Sequence, residues 1–293
     1  MVEIVPSGLP STRWRRLRAR LFHVLMLGAL AFVVGPALWL VVGVVARALP
    51  GWRWSVLTTL SQGTSGGLAN AIVGTLVLMA GVLALAGTTG VLTGIYLSEF
   101  AEGSRGVHVV RIAIDVLAGF PSIVLGYVGY VALCVGLGWG FSLLPALMIL
   151  SFMVVPYIAK STESSLHQVP TAYREGAEAL GMPGGHALRR VVVRTALPGI
   201  VTGLLIALSI AGGETAPLLY TAGVTNNLPT WSLLHHPIAY LTYYVWTDWN
   251  QPSTEAHVVS YDASLILMVL VLVMLVVARV IVARTQRHTE SSR

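Results

Sequence analysis

The sequence predicts an all-α polytopic membrane protein with about six transmembrane helices. Three observations lead there. Of 293 residues, 55% are hydrophobic and only 10% are charged, too little polar material to clothe a soluble domain of this length. Apolar runs long enough to cross ~30 Å of hydrocarbon recur along the chain. The basic residues gather beside alternate ends of those runs, as topogenic charges do.

Taken in order, Arg13, Arg15, Arg16, Arg18 and Arg20 precede a first span over residues 21–45. That run is too long for the apolar core of a signal peptide, so it is expected to be retained. A polar loop follows, with Trp52 and Trp54 suited to the membrane interface. The second span is expected over residues 68–97, with small residues (Gly74, Thr75, Gly87, Gly90) that permit close helix packing in lipid. Residues 107–119 form an amphipathic helix at the interface, in which Arg111 and Asp115 have the i, i+4 spacing of a pair. Gly119-Phe120-Pro121 breaks it, because the residue before proline avoids the α region, and a third span runs from Pro121 to about residue 137. Further spans are expected over residues 141–158, 195–220 and 263–282. With the N-terminus inside, only Arg47 and Arg53 of the 18 basic residues fall outside, and the loop 221–260 has none. The bias therefore predicts cytoplasmic N- and C-termini.

Several function classes have no residues to carry them. No Gly-x-x-x-x-Gly-Lys-Ser/Thr motif occurs, so ATP would have to be bound by a separate subunit and no cofactor is expected. Cys134 is the single cysteine, which rules out a disulfide within the chain, and no Cys/His spacing suits a metal. His235, His236, His257 and Asp248 lie in or near the outer loop without the context of a nucleophile elbow, so no catalytic residue is assigned. The charge of +6 reports orientation in lipid, and no nucleic-acid partner is expected. The aromatic loop (Trp231, Tyr240, Tyr243, Tyr244, Trp246, Trp249) reads either as an interfacial belt or as a face for an external partner.

The organising stretch is 170–220. Its first part, Pro170-Thr171-Ala172-Tyr173-Arg174-Glu175-Gly176-Ala177-Glu178-Ala179-Leu180-Gly181, predicts a surface helix of roughly 13 Å at ~1.5 Å per residue. Thr171 is the expected N-cap, Gly181 fits the C′ position, and Pro183 stops continuation. Tyr173, Ala177 and Leu180 make one apolar stripe, fit either to cap the membrane domain or to anchor in a partner's groove. This helix is expected to feed directly into the span that contains Glu214. An acid inside an apolar span lines a pathway or gate, or else is a structural group bonded to backbone or to a partner's arginine. Gly212-Gly213 before it and Pro217 after it loosen the helix there.

These residues carry a resemblance. Glu175-Gly176-Ala177, Gly181 and Leu197-Pro198-Gly199 resemble the "EAA" loop of ABC importer permeases, whose coupling helix docks in a cleft of the ATPase subunit. The resemblance implies the type I importer permease fold and assigns Tyr173, Glu175, Gly176, Ala177, Leu180 and Gly181 to ATPase coupling. Gly176 stands where the family usually has Ala, which softens the helix by up to ~1 kcal/mol.

Gly213-Glu214-Thr215-Ala216-Pro217-Leu218-Leu219 is similar to the signature of PstA-type permeases of phosphate ABC importers. So are Gly66-Gly67 through Gly74-Thr75-Leu76 to Ile95-Tyr96-Leu97-Ser98-Glu99-Phe100, and Phe120-Pro121-Ser122-Ile123-Val124-Leu125-Gly126. The resemblance implies a partner set: a homologous PstC-type permease, a PstB-type ATPase dimer and an extracellular phosphate-binding protein, all around a chain embedded in membrane lipid. It places Glu214, Thr215, Pro217, Ser122 and Pro121 on the pathway or gate. Family members commonly carry arginine four residues before the glutamate, where this chain has Ile210. Cationic groups for an anion would then come from the partner permease, or donors from helix N-termini. Another oxyanion such as molybdate or sulfate, or a self-sufficient secondary transporter or channel, are the alternatives. The expected organisation is 1–65 (basic N-terminus, first span, outer loop), 66–283 (five-span permease core) and 284–293 (basic tail).

Overall fold

The computed structural model describes residues 12–100, 105–230 and 232–290. The chain forms two units, Met1–Gly51 and Trp52–Arg293. In the first, α1 (Thr12–Ala48) is one helix with Pro36 inside it. None of its most apolar window is buried, as befits a helix whose solvent is lipid.

The second unit holds α2 (Ala69–Glu99), α3 (Arg105–Ala118), α4 (Ser122–Gly129) continued by a π-helical stretch Tyr130–Gly136, α5 (Leu143–His167), α6 (Thr171–Ala179) and α7 (Gly184–Ala187). A π-helical turn, Leu188–Val192, leads into α8 (Val193–Gly213), followed by α9 (Ala216–Thr221), α10 (Leu241–Trp249) and α11 (Thr254–Glu290). Among the described residues, five helices are long and apolar enough to span a membrane, and six if the bent pair α3–α4 counts as one, its halves meeting at 103°.

The core lies where α2, α5 and α8 meet. Leu78, Val82 and Ala86 of α2 pack with Leu147, Leu150, Val154 and Ile158 of α5 and with Ala207, Leu208 and Ala211 of α8. Small residues set how close the backbones come. A Cβ on Gly94 would stand 2.5 Å from the Thr162 Cβ and 2.6 Å from the Ala159 carbonyl oxygen, so only hydrogen fits at that crossing.

Three expectations are corrected. Arg111 does not pair with Asp115. It binds Glu163 of α5 at 2.7 Å, while Asp115 binds Lys160 at 2.6 Å. The helix α3 lies along α5, which offers better-placed partners, and basic-before-acidic is the weaker order for a pair within one helix. The last helix begins at Thr254 rather than near Ala263, and it continues through the basic tail to Glu290. Polar residues there suggest loop, but Ser260 and Asp262 are buried, each 3% exposed, and the Ser260 hydroxyl donates to the Val245 carbonyl of α10 at 2.9 Å. Lastly, α6 does not feed directly into α8, since α7 and a π turn intervene.

Candidate functional site

On one side of the unit, α6 is built as its sequence suggests at one end and differently at the other. Gly181 adopts φ +70°, the left-handed geometry that glycine takes without strain. Its N–H reaches the Glu178 carbonyl at 2.8 Å, and the Met182 N–H reaches the Ala177 carbonyl at 3.1 Å, the two bonds of a Schellman cap. At the start, Pro170 takes the N-cap position with no side-chain cap bond, and Thr171 is the first helical residue. The fixed φ of proline sets the entry angle, so the threonine hydroxyl is not needed.

The predicted stripe divides. Leu180 is 81% exposed and Tyr173 40%, whereas Ala177 is 4% exposed. Ala177 therefore seats α6 on its own chain, where the helix meets the π turn 188–192. Leu180, with exposed Glu175 and Gly176 beside it, faces outward. Arg174, on the inward side, makes a fork to Glu99 at the end of α2. Nη1 donates to Oε2 at 2.6 Å and Nη2 to Oε1 at 2.8 Å. The bonds it donates to Glu99 raise the Arg174 pKa above its ordinary value, so the guanidinium stays charged.

The second part of the site is a broken span. Helix α8 stops at Gly213, Glu214 is extended (φ −75°, ψ 133°), and α9 begins at Ala216 with proline in its first turn. The glycine pair weakens the end of α8, and Pro217 both lacks an N–H and suits a helix start. Pro121 is the extended N-cap of α4, and Ser122 in the first turn of α4 interacts with the Glu214 carboxylate. Helix α4 packs on α9 so closely that a Cβ on Gly126 would come 2.6 Å from the Pro217 Cα. The structure thus assembles Pro121, Ser122, Glu214, Thr215 and Pro217 from two sequence stretches. Ile210, by contrast, packs against Leu125, Ile149 and Met153. No ion pair among the described residues involves Glu214.

Two anchoring groups went unread in the sequence. Thr242, in the first turn of α10, donates to the Glu214 carbonyl oxygen at 2.8 Å. Asn70, fully buried, donates to the Thr225 carbonyl at 2.8 Å and the Tyr244 hydroxyl at 3.1 Å, and accepts from the Ser61 N–H at 3.2 Å. An asparagine at the start of a span is the only hint the sequence offers. The aromatic loop also differs from expectation. Tyr240 and Tyr244 are 1% and 2% exposed and belong to the core, while Trp246 and Trp249 are exposed. Trp231 lies outside the described residues.

A bundle of apolar helices in which the span α8 ends at an acid, together with a short exposed helix, suits a membrane transport subunit. Residues 90–287 match the family described as "Binding-protein-dependent transport system inner membrane component", and the chain belongs to it. Members are multi-pass membrane permeases that work with an ATPase and a substrate-binding protein. Among its relatives, the phosphate transport system permease protein PstA 2 of Mycobacterium tuberculosis is 54% identical over 281 residues, covering 94% of this chain and 93% of the relative. PstA of Yersinia pestis is 31% identical over 289 residues, covering 96% and 95%. A solved inward-facing structure of the MetNI methionine ABC transporter aligns with TM-score 0.55 and 20% identity over 75% of this chain and 94% of its own, a likeness of fold.

Proposed function

We propose that this chain is a permease subunit of an ATP-driven importer of inorganic phosphate, forming half of the translocation pathway. The observation that carries the reading is the full-length kinship: 54% identity to a phosphate permease across 94% of the chain, spanning both α6 and the Glu214 break. A homologous PstC-type permease supplies the other half, a PstB-type ATPase dimer binds the ATP, and an extracellular phosphate-binding protein delivers the substrate. The subunit itself is non-catalytic, and its charge bias supports cytoplasmic termini. Residues 66–283 form the transport core.

A helix break at an acid is supported as a pathway element because freed backbone groups can face a water-filled route rather than lipid. Glu214 by itself repels phosphate. The Ser122 hydroxyl and the amides opening α4 are donors on the same side, and cationic ligands come from the partner permease, since Ile210 is apolar. In α6, outward-facing Leu180 anchors in the ATPase cleft, and the Gly181 cap holds the helix end in register.

The test is uptake of labelled phosphate into proteoliposomes that contain the assembled complex and ATP, with unlabelled molybdate and sulfate as competitors. Phosphate uptake that needs ATP and resists both competitors is expected. Preference for another oxyanion would redirect the substrate assignment, and flux through this chain alone would replace the reading with a self-sufficient transporter.

A further inference from the structure

The fork between Arg174 and Glu99 has a placement that helix energetics oppose. Glu99 is the last residue of α2, where the helix dipole disfavours an acid. Arg174 sits early in α6, where the same effect disfavours a base. Each charge is at the wrong end of its own helix, and the pair across 75 residues of sequence is what relieves both. The carboxylate is further fixed by the Ser98 hydroxyl at 3.0 Å, and the guanidinium by the Leu166 carbonyl at 3.5 Å. Both side chains are partly sheltered, 12% and 33% exposed, so screening is weaker than for a surface pair. A two-bond fork also fixes orientation, which a single contact does not.

The covalent path from α6 to the broken span is comparatively soft. It runs through Gly181, Met182 and Pro183, then the single turn of α7, which opens with Gly184-Gly185, and a π turn. The path from Arg174 through Glu99 enters a continuous helix of 31 residues, roughly 45 Å long at ~1.5 Å per residue. That rod is fixed at its far end as well: Asn70 holds Thr225 and Tyr244, and the Thr75 hydroxyl accepts the Leu241 N–H at 2.9 Å.

We propose that Arg174 and Glu99 are positioning residues that give the importer a second coupling route, passing displacement of α6 into α2 and along it to the polar anchor at Asn70. The route rests on the reading of α6 as the ATPase-docking helix. It works in parallel with the chain connection into α8, and it moves the outer segments together with the inner helix.

The experiment uses the full complex in proteoliposomes with inorganic phosphate and ATP, and reads phosphate imported per ATP hydrolysed. Phosphate-stimulated hydrolysis by the parent complex tests the docking reading on its own, so the variants test only the fork. Glu99→Gln and Arg174→Gln are each expected to lower the ratio by about tenfold, within the usual range of coupling between sites, while the ATPase still co-purifies. The exchange Glu99→Arg with Arg174→Glu is expected to recover most of the ratio. An unchanged ratio in the single variants, loss of the ATPase from the complex, or an exchange no better than the singles would overturn the proposal.

Discussion

The hydroxyl of Thr242 donates to the carbonyl oxygen of Glu214 at 2.8 Å, so the first turn of α10 is pinned to the point where the α8–α9 span breaks. Breaking a helix frees carbonyls that lipid cannot satisfy, and this one is met by a side chain 28 residues away. Thr242→Val keeps the shape and removes the donor. Folding stability of the purified complex should fall by about 1 kcal/mol, read as a lower thermal midpoint, with phosphate uptake reduced.

Glu214→Ala removes the carboxylate from the break and leaves Gly213 and Pro217 in place. Uptake by reconstituted complexes should fall about tenfold, equivalent to ~1.4 kcal/mol on the rate-limiting barrier. Membrane insertion and ATPase association should stay at parent levels. Parent-like uptake would make the acid a structural group.

In α6 two neighbouring residues should fail differently. Leu180→Asp removes an outward anchor. If burying a leucine contributes ~1.5–3 kcal/mol, ATPase binding should weaken by one to two orders of magnitude with the permease still folded. Gly181→Val instead forces a β-branched residue to φ +70°. The cap should lose about 1–2 kcal/mol, seen as faster proteolysis between α6 and α7, and Gly181→Asn should be milder.

Asp248 on α10 should make the outer segment pH-sensitive. Its residue is 4% exposed and Oδ2 has no hydrogen-bond partner, so burial pushes its carboxyl up to about 6 from an unburied value of 3.8. The folded chain keeps the proton longer than the unfolded chain does. The stabilisation is therefore complete below pH 3.8 and is lost as pH rises through about 6, on the order of 3 kcal/mol in all, about half of it above pH 5. A thermal-midpoint series from pH 5 to 8 should show the decline, and Asp248→Asn should flatten it.

What could be read from the sequence follows the range of the forces involved. Spans α2, α5 and α8 announce themselves because hydrophobic length is a local property, and the end of α6 does so because Gly181 and Pro183 specify a cap within a few residues. The resemblance groups Ser122 with Glu214, and in the structure the Ser122 side chain lies near enough to act on the Glu214 carboxylate. Pairings across the bundle were not legible. Arg111 had a local candidate in Asp115 but chose Glu163, and nothing in the spacing of Glu99 and Arg174 links them except that each opposes its helix dipole. The helix α10 was hidden for another reason: Thr, Tyr, Val and Trp favour strands in isolation, and it is packing on α11 that makes the segment helical.

The crossing at Gly94 bears on which parts of the molecule can travel. Where α2 and α5 touch through a bare Cα, sliding by one residue would drive a side chain into space that holds only a hydrogen atom. That seam behaves as a keyed joint. The two helices must shift as a single block, and the freedom an alternating-access cycle demands is left to the joints at Phe120-Pro121, at Glu214-Thr215 and in the link after Gly181.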